Sequence, residues 1–406
     1  MNTKHRLLTP ALLVATLGYF VDVYDLVLFI VLKNPSLSEL GVSHQELLSI
    51  GASLLNTQML GMLVGGIVWG VLGDKIGRTQ VLFGSIIIYS LANIANAFVH
   101  SVPSYHLYRA LAGFGLAGEL GAGVTLVAEI LPVALRGYGT TIIATVGISG
   151  AVVAGLIGEF LPWRYSYIAG GLLGLVLLVV RVSVTESHLF VKATQDSKIP
   201  LGSIKLLLCN RDRLFRYLLC IVLGTPTWYV VGILMANAIP LAQALGVSGV
   251  PKQAYALIWC YAGIMMGDAV AGFISQRLKS RKKPIALYLL GGLILPIWFL
   301  TDRGISVNTM YLHYVSLGFA SGFWVLTVTS AAEQFGTNIR ATVTTTIPNF
   351  IRASVIPMNI AFLWLQERSD TITSALVVGV ITSSIALLSL LYLKETFHRE
   401  LDFVDR

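Results

Sequence analysis

A chain of 406 residues that is 55% hydrophobic and only 12% charged is too apolar for a water-soluble domain of its size. Its mean hydropathy of +0.78 places it in a bilayer. The net charge of +8 would suit an anionic partner, but the basic residues are distributed by sidedness along the chain, which argues against nucleic acid.

A membrane-spanning helix takes roughly 20 mostly apolar residues. Between Leu8 and Leu393 the sequence divides into about twelve such runs, near 8–32, 47–72, 81–99, 106–130, 138–160, 165–184, 214–243, 255–274, 285–300, 309–335, 342–365 and 371–393. The first is too long for a removed signal peptide and lacks a small-residue cleavage site, so it is read as the first span. It carries Asp22 and Asp25, three apart and therefore on one helix face. Carboxylates that close can hold a proton between them, which makes them a candidate proton-coupling pair. The alternative is that one of them pairs with a nearby arginine and fixes packing.

After the second span comes GVLGDKIGRTQVL, Gly70 to Leu82, a charged, glycine-bent hinge between two apolar runs. The fourth span places Arg109 about one turn inside its outer end and Glu119 near its middle. Ten helical residues rise about 15 Å, so these two need partners elsewhere. Arg109 is a candidate counter-charge for an anionic solute or for Asp22 or Asp25, and Glu119 a candidate proton site.

A polar stretch, 185–213, separates six runs from six, and the second half repeats landmarks of the first. The hinge outline returns from Gly272 as GFISQRLKSRKKP, and Glu129 and Arg136 recur as Glu333 and Arg340, 204 residues later. Arg164 recurs at Arg368 with the same offset of 204. This is internal duplication, with binding expected where the halves meet near mid-bilayer. The expected organisation is 1–184 for one six-helix half, 185–213 for a cytoplasmic linker, 214–393 for the other half and 394–406 for a cytoplasmic tail.

In the second half, Asp268 is an unexpected charge in the eighth span, and Arg352 lies between Pro348 and Pro357 in the eleventh. A guanidinium there could grip a carboxylate. His313 stands 204 after Arg109 and is its duplicate by position. Tyr19, Trp228, Tyr229 and Trp324 are candidate cavity aromatics. Cys209, Cys220 and Cys260 are odd in number, which indicates no disulfide framework, and no metal-ligand spacing appears.

With the N-terminus placed in the cytoplasm, 21 of the 28 Lys and Arg fall on the cytoplasmic side, five on the outer side, and Arg109 and Arg352 inside spans. By the positive-inside rule both ends are cytoplasmic.

GVLGDKIGRTQVL resembles the loop 2–3 signature of the major facilitator superfamily. LGYFVDVYDLVLF, RALAGFGLAGELGAGVTLVAEILPVALRG, Trp163-Arg164, ESHLF, EQFGTNIR and KETF resemble its metabolite:proton symporter branch. The resemblance implies an all-α fold of twelve transmembrane helices in two six-helix halves, with spans 1, 7 and 10 lining a cavity. It also implies a gating network of Asp74, Arg78, Glu129 and Arg136, with Glu333 and Arg340 as their C-half counterparts. In the second hinge Gln276 stands for the expected Asp and Lys279 for the expected Gly, so gating contacts are expected to be lost there. Asp22-Val23 replaces the branch's usual Glu-Trp.

The expected function is proton-coupled secondary transport of a small polar solute, a carboxylate or zwitterion, by a monomer in the cytoplasmic (inner) membrane. No cofactor beyond the proton and no catalytic residue is expected, since no Walker loop or nucleophile motif is present. The alternatives are export of a larger amphipathic compound such as a drug or siderophore, for which Met265, Met266 and Trp259 would line the cavity, and a non-transporting scaffold or sensor.

Overall fold

The computed structural model describes residues 9–43, 46–181, 201–397, 399 and 403–405, and these are almost entirely helical. The stretch 185–200 of the expected linker, including Glu186 and Lys192, and most of the tail beyond 397 lie outside the described residues.

Among the described residues, 11 helical spans are long and apolar enough to cross a membrane. Their apolar runs are the sequence expectation realised, and several of their starts are capped by a neighbouring side chain. Ser101 Oγ accepts from Ser104 N, Asn210 Oδ1 from Arg213 N, and Asp370 Oδ1 from Ile372 N and Thr373 N. Each side chain satisfies amide groups that a helix start leaves without partners.

The eleventh expected span fails the apolarity test for a physical reason. It is built of Arg340–Ala353 and Val355–Gln366, and the first piece carries Thr342, Thr344, Thr345, Thr346, Asn349 and Arg352, all buried. This first piece is buried nearly throughout and so needs no lipid-compatible surface, whereas the second exposes Ile360, Leu363 and Trp364.

Three spans are broken rather than continuous. The fourth runs Val102–Leu116 and Glu119–Ile130, the tenth Val307–Ser321 and Trp324–Gln334, and the eleventh breaks at Ser354 rather than at either proline. The seventh passes from Arg211–Tyr229 into a π-helical turn, Val230–Met235, and then Ala238–Leu245. Pro226, which lacks an N–H, sits just before that turn.

The halves pack along spans 2 and 11 and along spans 5 and 8. Glycine makes the approach possible. A Cβ at Gly70 would strike the Thr342 backbone, and one at Gly121 the backbone of Thr345. Leu91, Leu172, Val176, Ile294, Leu388 and Leu391 are exposed on the outside of the bundle, as a lipid-facing surface requires.

The two hinges correspond more closely than the sequence suggested. Gly77 has φ 110, and Lys279 at the equivalent place has φ 48, the one non-glycine residue with positive φ among those described. The second hinge keeps an arginine–glutamate contact, within the second half. Arg281, one position beyond the register match, bonds Glu333 through Nη2 at 2.8 Å and Nε at 3.2 Å.

Candidate functional site

One face of the first span, Tyr19, Val23 and Leu26, walls a narrow cavity on the axis between the halves. Trp228 and Val231 of the seventh span, Tyr261 of the eighth, Trp324 of the tenth and Arg352 of the eleventh close it. The stripe of positions 19, 23 and 26 is one helix face, and the π turn helps bring Val231 round to meet it.

Arg352 is the polar centre of this cavity. Its Nη2 donates to Asp22 Oδ2 at 2.9 Å, its Nη1 lies 3.5 Å from Asn349 Oδ1, and its guanidinium sits 6.0 Å from the centre of the Trp324 ring. Among the described residues Asp22 Oδ1 and Arg352 Nε have no hydrogen-bond partner, so the pair is single-stranded rather than a closed fork. Both side chains are almost wholly inaccessible, at 0% and 2%. The ion pair therefore has a free acceptor and a free donor.

One turn along the first span, Asp25 is also buried, and among the described residues neither of its oxygens has a close hydrogen bond, with the Asn93 side chain its polar neighbour. The cation whose field acts on it is Arg109. Arg109 likewise has no hydrogen bond to any of its nitrogens, and is held between the rings of Phe29 at 5.1 Å and Tyr167 at 5.7 Å. Cation–π contact compensates part of its desolvation. Asp25 and Arg109 thus face one another inside the first half, behind the cavity wall.

Asp268 accepts from Val325 N at 3.2 Å and so caps the second piece of the broken tenth span, while its Oδ2 is unbonded. The break in the fourth span is served from the other half: Asn349 Nδ2 donates to Ala117 O at 2.9 Å.

Towards the hinges the interface is closed by charge. Asp74 accepts from Ala341 N at 3.0 Å, Thr342 N at 2.8 Å and Thr342 Oγ1 at 2.7 Å, capping the eleventh span from the opposite half. Arg78 pairs with Asp74 at 3.3 Å and Glu129 at 3.1 Å, and donates to Thr337 O at 3.2 Å. Glu129 Oε1 also meets Arg340 Nη1 at 3.3 Å, which ties the halves together. The equivalent pair, Arg281 and Glu333, stays within the second half and is joined by Thr396 Oγ1 at 2.8 Å.

The sequence profile of the Major Facilitator Superfamily matches residues 15–356. The chain belongs to this superfamily. A Haemophilus influenzae protein provisionally named a metabolite transport protein is 27% identical over 84% of this chain and 85% of its own length. The sialic acid transporter NanX of Escherichia coli is 23% identical over 76% of each chain. Among solved structures, the proton:xylose symporter XylE superposes with a TM-score of 0.75 at 18% identity, covering 97% of both chains, a likeness of fold. The protein is therefore a multi-pass membrane transporter of small organic solutes and not an enzyme.

Within this superfamily fold, the predicted residues fall into separate groups. Tyr19, Trp228, Trp324 and Arg352 line the axial cavity, with Asp22 bonded to Arg352. Arg109 does not line it, because it is sandwiched inside the first half. Tyr229 turns away, and its hydroxyl donates to Ala375 O at 2.8 Å towards the twelfth span. His313 pairs with Asp302 at 3.0 Å and packs on Trp298, so it occupies the position of Arg109 without facing a carboxylate of the first span. Glu119 forms a two-bond pair with Arg181 and accepts from Ser85 Oγ at 2.7 Å, and this pair lies against the first span at Gly18, one turn from Asp22. Arg136 lies at the start of the fifth span, with its side chain outside the described residues.

Sequence reasoning missed Arg181, which looked like a cytoplasmic helix end, and Tyr261, whose signal was only an aromatic in an apolar run.

Proposed function

We propose that this transporter moves a small carboxylate-bearing solute together with a proton, by alternating access in the cytoplasmic membrane. The observation that carries the reading is the Asp22–Arg352 pair, a cation and an anion from opposite halves that meet in the cavity with bonding capacity to spare. A solute carboxylate can take the guanidinium from Asp22, and Asp22 then keeps its burial tolerable by accepting a proton. Asp25, buried without a close hydrogen bond among the described residues and beside Arg109, is the second proton-carrying group in this reading. Asp268, with one unbonded oxygen, is a third candidate, while Glu119 serves packing.

The relatives support the chemistry. Sialic acid, gentisate and benzoate, carried by NanX, the Corynebacterium glutamicum gentisate transporter and the Acinetobacter baylyi benzoate transport protein, all bear a carboxyl group. An amphipathic cargo is disfavoured, because Met266 and Trp259 are each 45% exposed on the outside of the bundle.

The hinge end, with its concentration of basic residues, is the cytoplasmic side in this reading, and the Asp74–Arg78–Glu129–Arg340 network is the gate that opens there. Transport needs only the monomer, and no cofactor other than the coupling proton takes part.

A thermal-shift screen of the purified protein against carboxylates, zwitterions, sugars and siderophores at pH about 5.5 and about 7.5 tests the reading. A ligand at 100 times its dissociation constant adds about 2.7 kcal/mol to the folded state. A carboxylate that stabilises more at the lower pH, and fails with Arg352→Ala, is the expected result. Stabilisation by large amphipathic compounds alone, without pH dependence, would overturn it.

A further inference from the structure

The stripe on the first span does not end at the axial cavity. It continues through Ile30 to Lys33, and these line a second narrow cavity nearer the Glu39 end. Positions 19, 23, 26, 30 and 33 follow one helix face, so the two cavities are stacked along one path. The same stacking holds on two further spans. On the seventh, Trp228 and Val231 face the axial cavity while Ala236 and Asn237 face the second. On the eleventh, Arg352 faces the first and Asn359 the second, seven residues or roughly 10 Å further along.

Lys33 is the feature that needs explaining. It is partly exposed between the halves, and among the described residues its ammonium group has one weak hydrogen bond, 3.4 Å from Nζ to Ala236 O, and no carboxylate within ion-pair distance. A lysine in such a place is normally paired or solvated. Nothing in the axial site, the hinge network or the packing of the first half uses it. Its neighbours Asn237 and Asn359 add neutral polar groups, and the rest of the wall is apolar.

We propose that Lys33, with Asn237 and Asn359, forms an outer waiting site for the anionic group of the solute, reached before the anion is passed inward to Arg352. The site takes small organic anions, and Gly51 and Ala52 form the wall on the second span, with Gly51 lying against the Lys33 stem. Two cations on one path, each incompletely paired, let a carboxylate move from one to the next without crossing an uncompensated apolar stretch. The proposal rests on the anionic-solute reading only for the identity of the cargo. The charge preference of the outer cavity can be read without knowing that cargo.

The test introduces Asn359→Cys and exposes intact cells to two membrane-impermeant methanethiosulfonate reagents, one ending in a sulfonate and one in a trimethylammonium group. Each rate is normalised to the same reagent's rate with a free thiol in solution, and the unmodified chain, with its own Cys209, Cys220 and Cys260, serves as the blank. Labelling on the order of 10-fold faster by the anion is expected. The preference should vanish with Lys33→Gln and persist with Lys33→Arg, which also guards against a folding defect in the first variant. Absence of labelling, equal rates, or a preference that survives Lys33→Gln would overturn the outer site. In parallel, uptake of benzoate and gentisate is measured. Carboxylate uptake without anion preference at Asn359→Cys defeats the outer site alone, whereas anion preference with no carboxylate uptake defeats the cargo reading alone.

Discussion

Arg352 Nη2 donates to Asp22 Oδ2 across 2.9 Å although the two residues stand 330 positions apart, one in each half of the duplicated chain. The bond joins the two halves at the cavity between them.

Removing one partner should be worse than removing both. Asp22→Asn or Arg352→Gln leaves a buried charge without its counter-ion and should cost about 3–5 kcal/mol. The double substitution, Asp22→Asn with Arg352→Gln, should recover much of that, with a coupling energy above about 1 kcal/mol. Thermal unfolding of the four proteins in one detergent closes the cycle, and additive losses would show that the pair is not coupled.

The two hinge glutamates should behave differently. Glu129 ties Arg78 to Arg340 across the halves, whereas Glu333 holds Arg281 and Thr396 within one half. Glu129→Gln is expected to raise the thiol reactivity of a Thr345→Cys probe beneath the hinge by roughly tenfold, the equivalent of about 1.4 kcal/mol. Glu333→Gln should lower stability and leave that reactivity within about twofold. Equal effects on the probe would remove the distinction.

Asp74 acts as a helix cap supplied by the opposite half, since it accepts from Ala341 N and Thr342 N at the start of Arg340–Ala353. Asp74→Asn keeps the shape but loses one acceptor and the charge that suits a helix start, at a cost of about 0.5–2 kcal/mol. Because the cap comes from the opposite half, the loss should appear as faster hydrogen exchange at Ala341 and Thr342. Unchanged protection there would assign the cap no part in closure.

Glu395, beyond the last span, should set part of the acid limb of stability. Burial works to raise the pKa of its carboxyl, but hydrogen bonds from Ser280 Oγ and from Arg281, Phe397 and Lys282 N–H groups prevail and hold it below the ordinary 4.5. A carboxyl depressed on folding stabilises above its unfolded pKa, and the contribution is lost as pH falls through the folded value. Glu395→Gln should therefore lose stability near neutral pH and show a flatter decline below pH about 4.5. A parallel decline in both proteins would contradict this.

The apolar runs made eleven of the spans legible directly, since length and hydropathy are what a bilayer demands. The eleventh span reads as an apolar run at 342–365, but its first piece is held by burial against protein instead of by apolarity, since Thr342, Thr344, Thr345 and Thr346 are all buried. The breaks at Ala117 and Gly322 were not legible. They depend on tertiary partners, Asn349 for the first and Asp268 for the second, that lie 232 and 57 residues away in the chain. Arg281 escaped notice because the repeat slips by one residue at the second hinge and places Ser280 where Arg78 stands. Spacing put Asp22 and Asp25 together, but only the fold shows that they look in different directions, one to Arg352 across the axis and the other to Arg109 within its own half.

The measurement that bears most directly on the central claim is uptake of labelled benzoate and gentisate by proteoliposomes under an imposed pH gradient, acid on the outside. Accumulation that follows the gradient, collapses with a protonophore, and is lost in both Asp25→Asn and Arg352→Ala is the predicted result. Uptake indifferent to the gradient, or retained in either variant, would contradict proton-coupled carboxylate transport through this site.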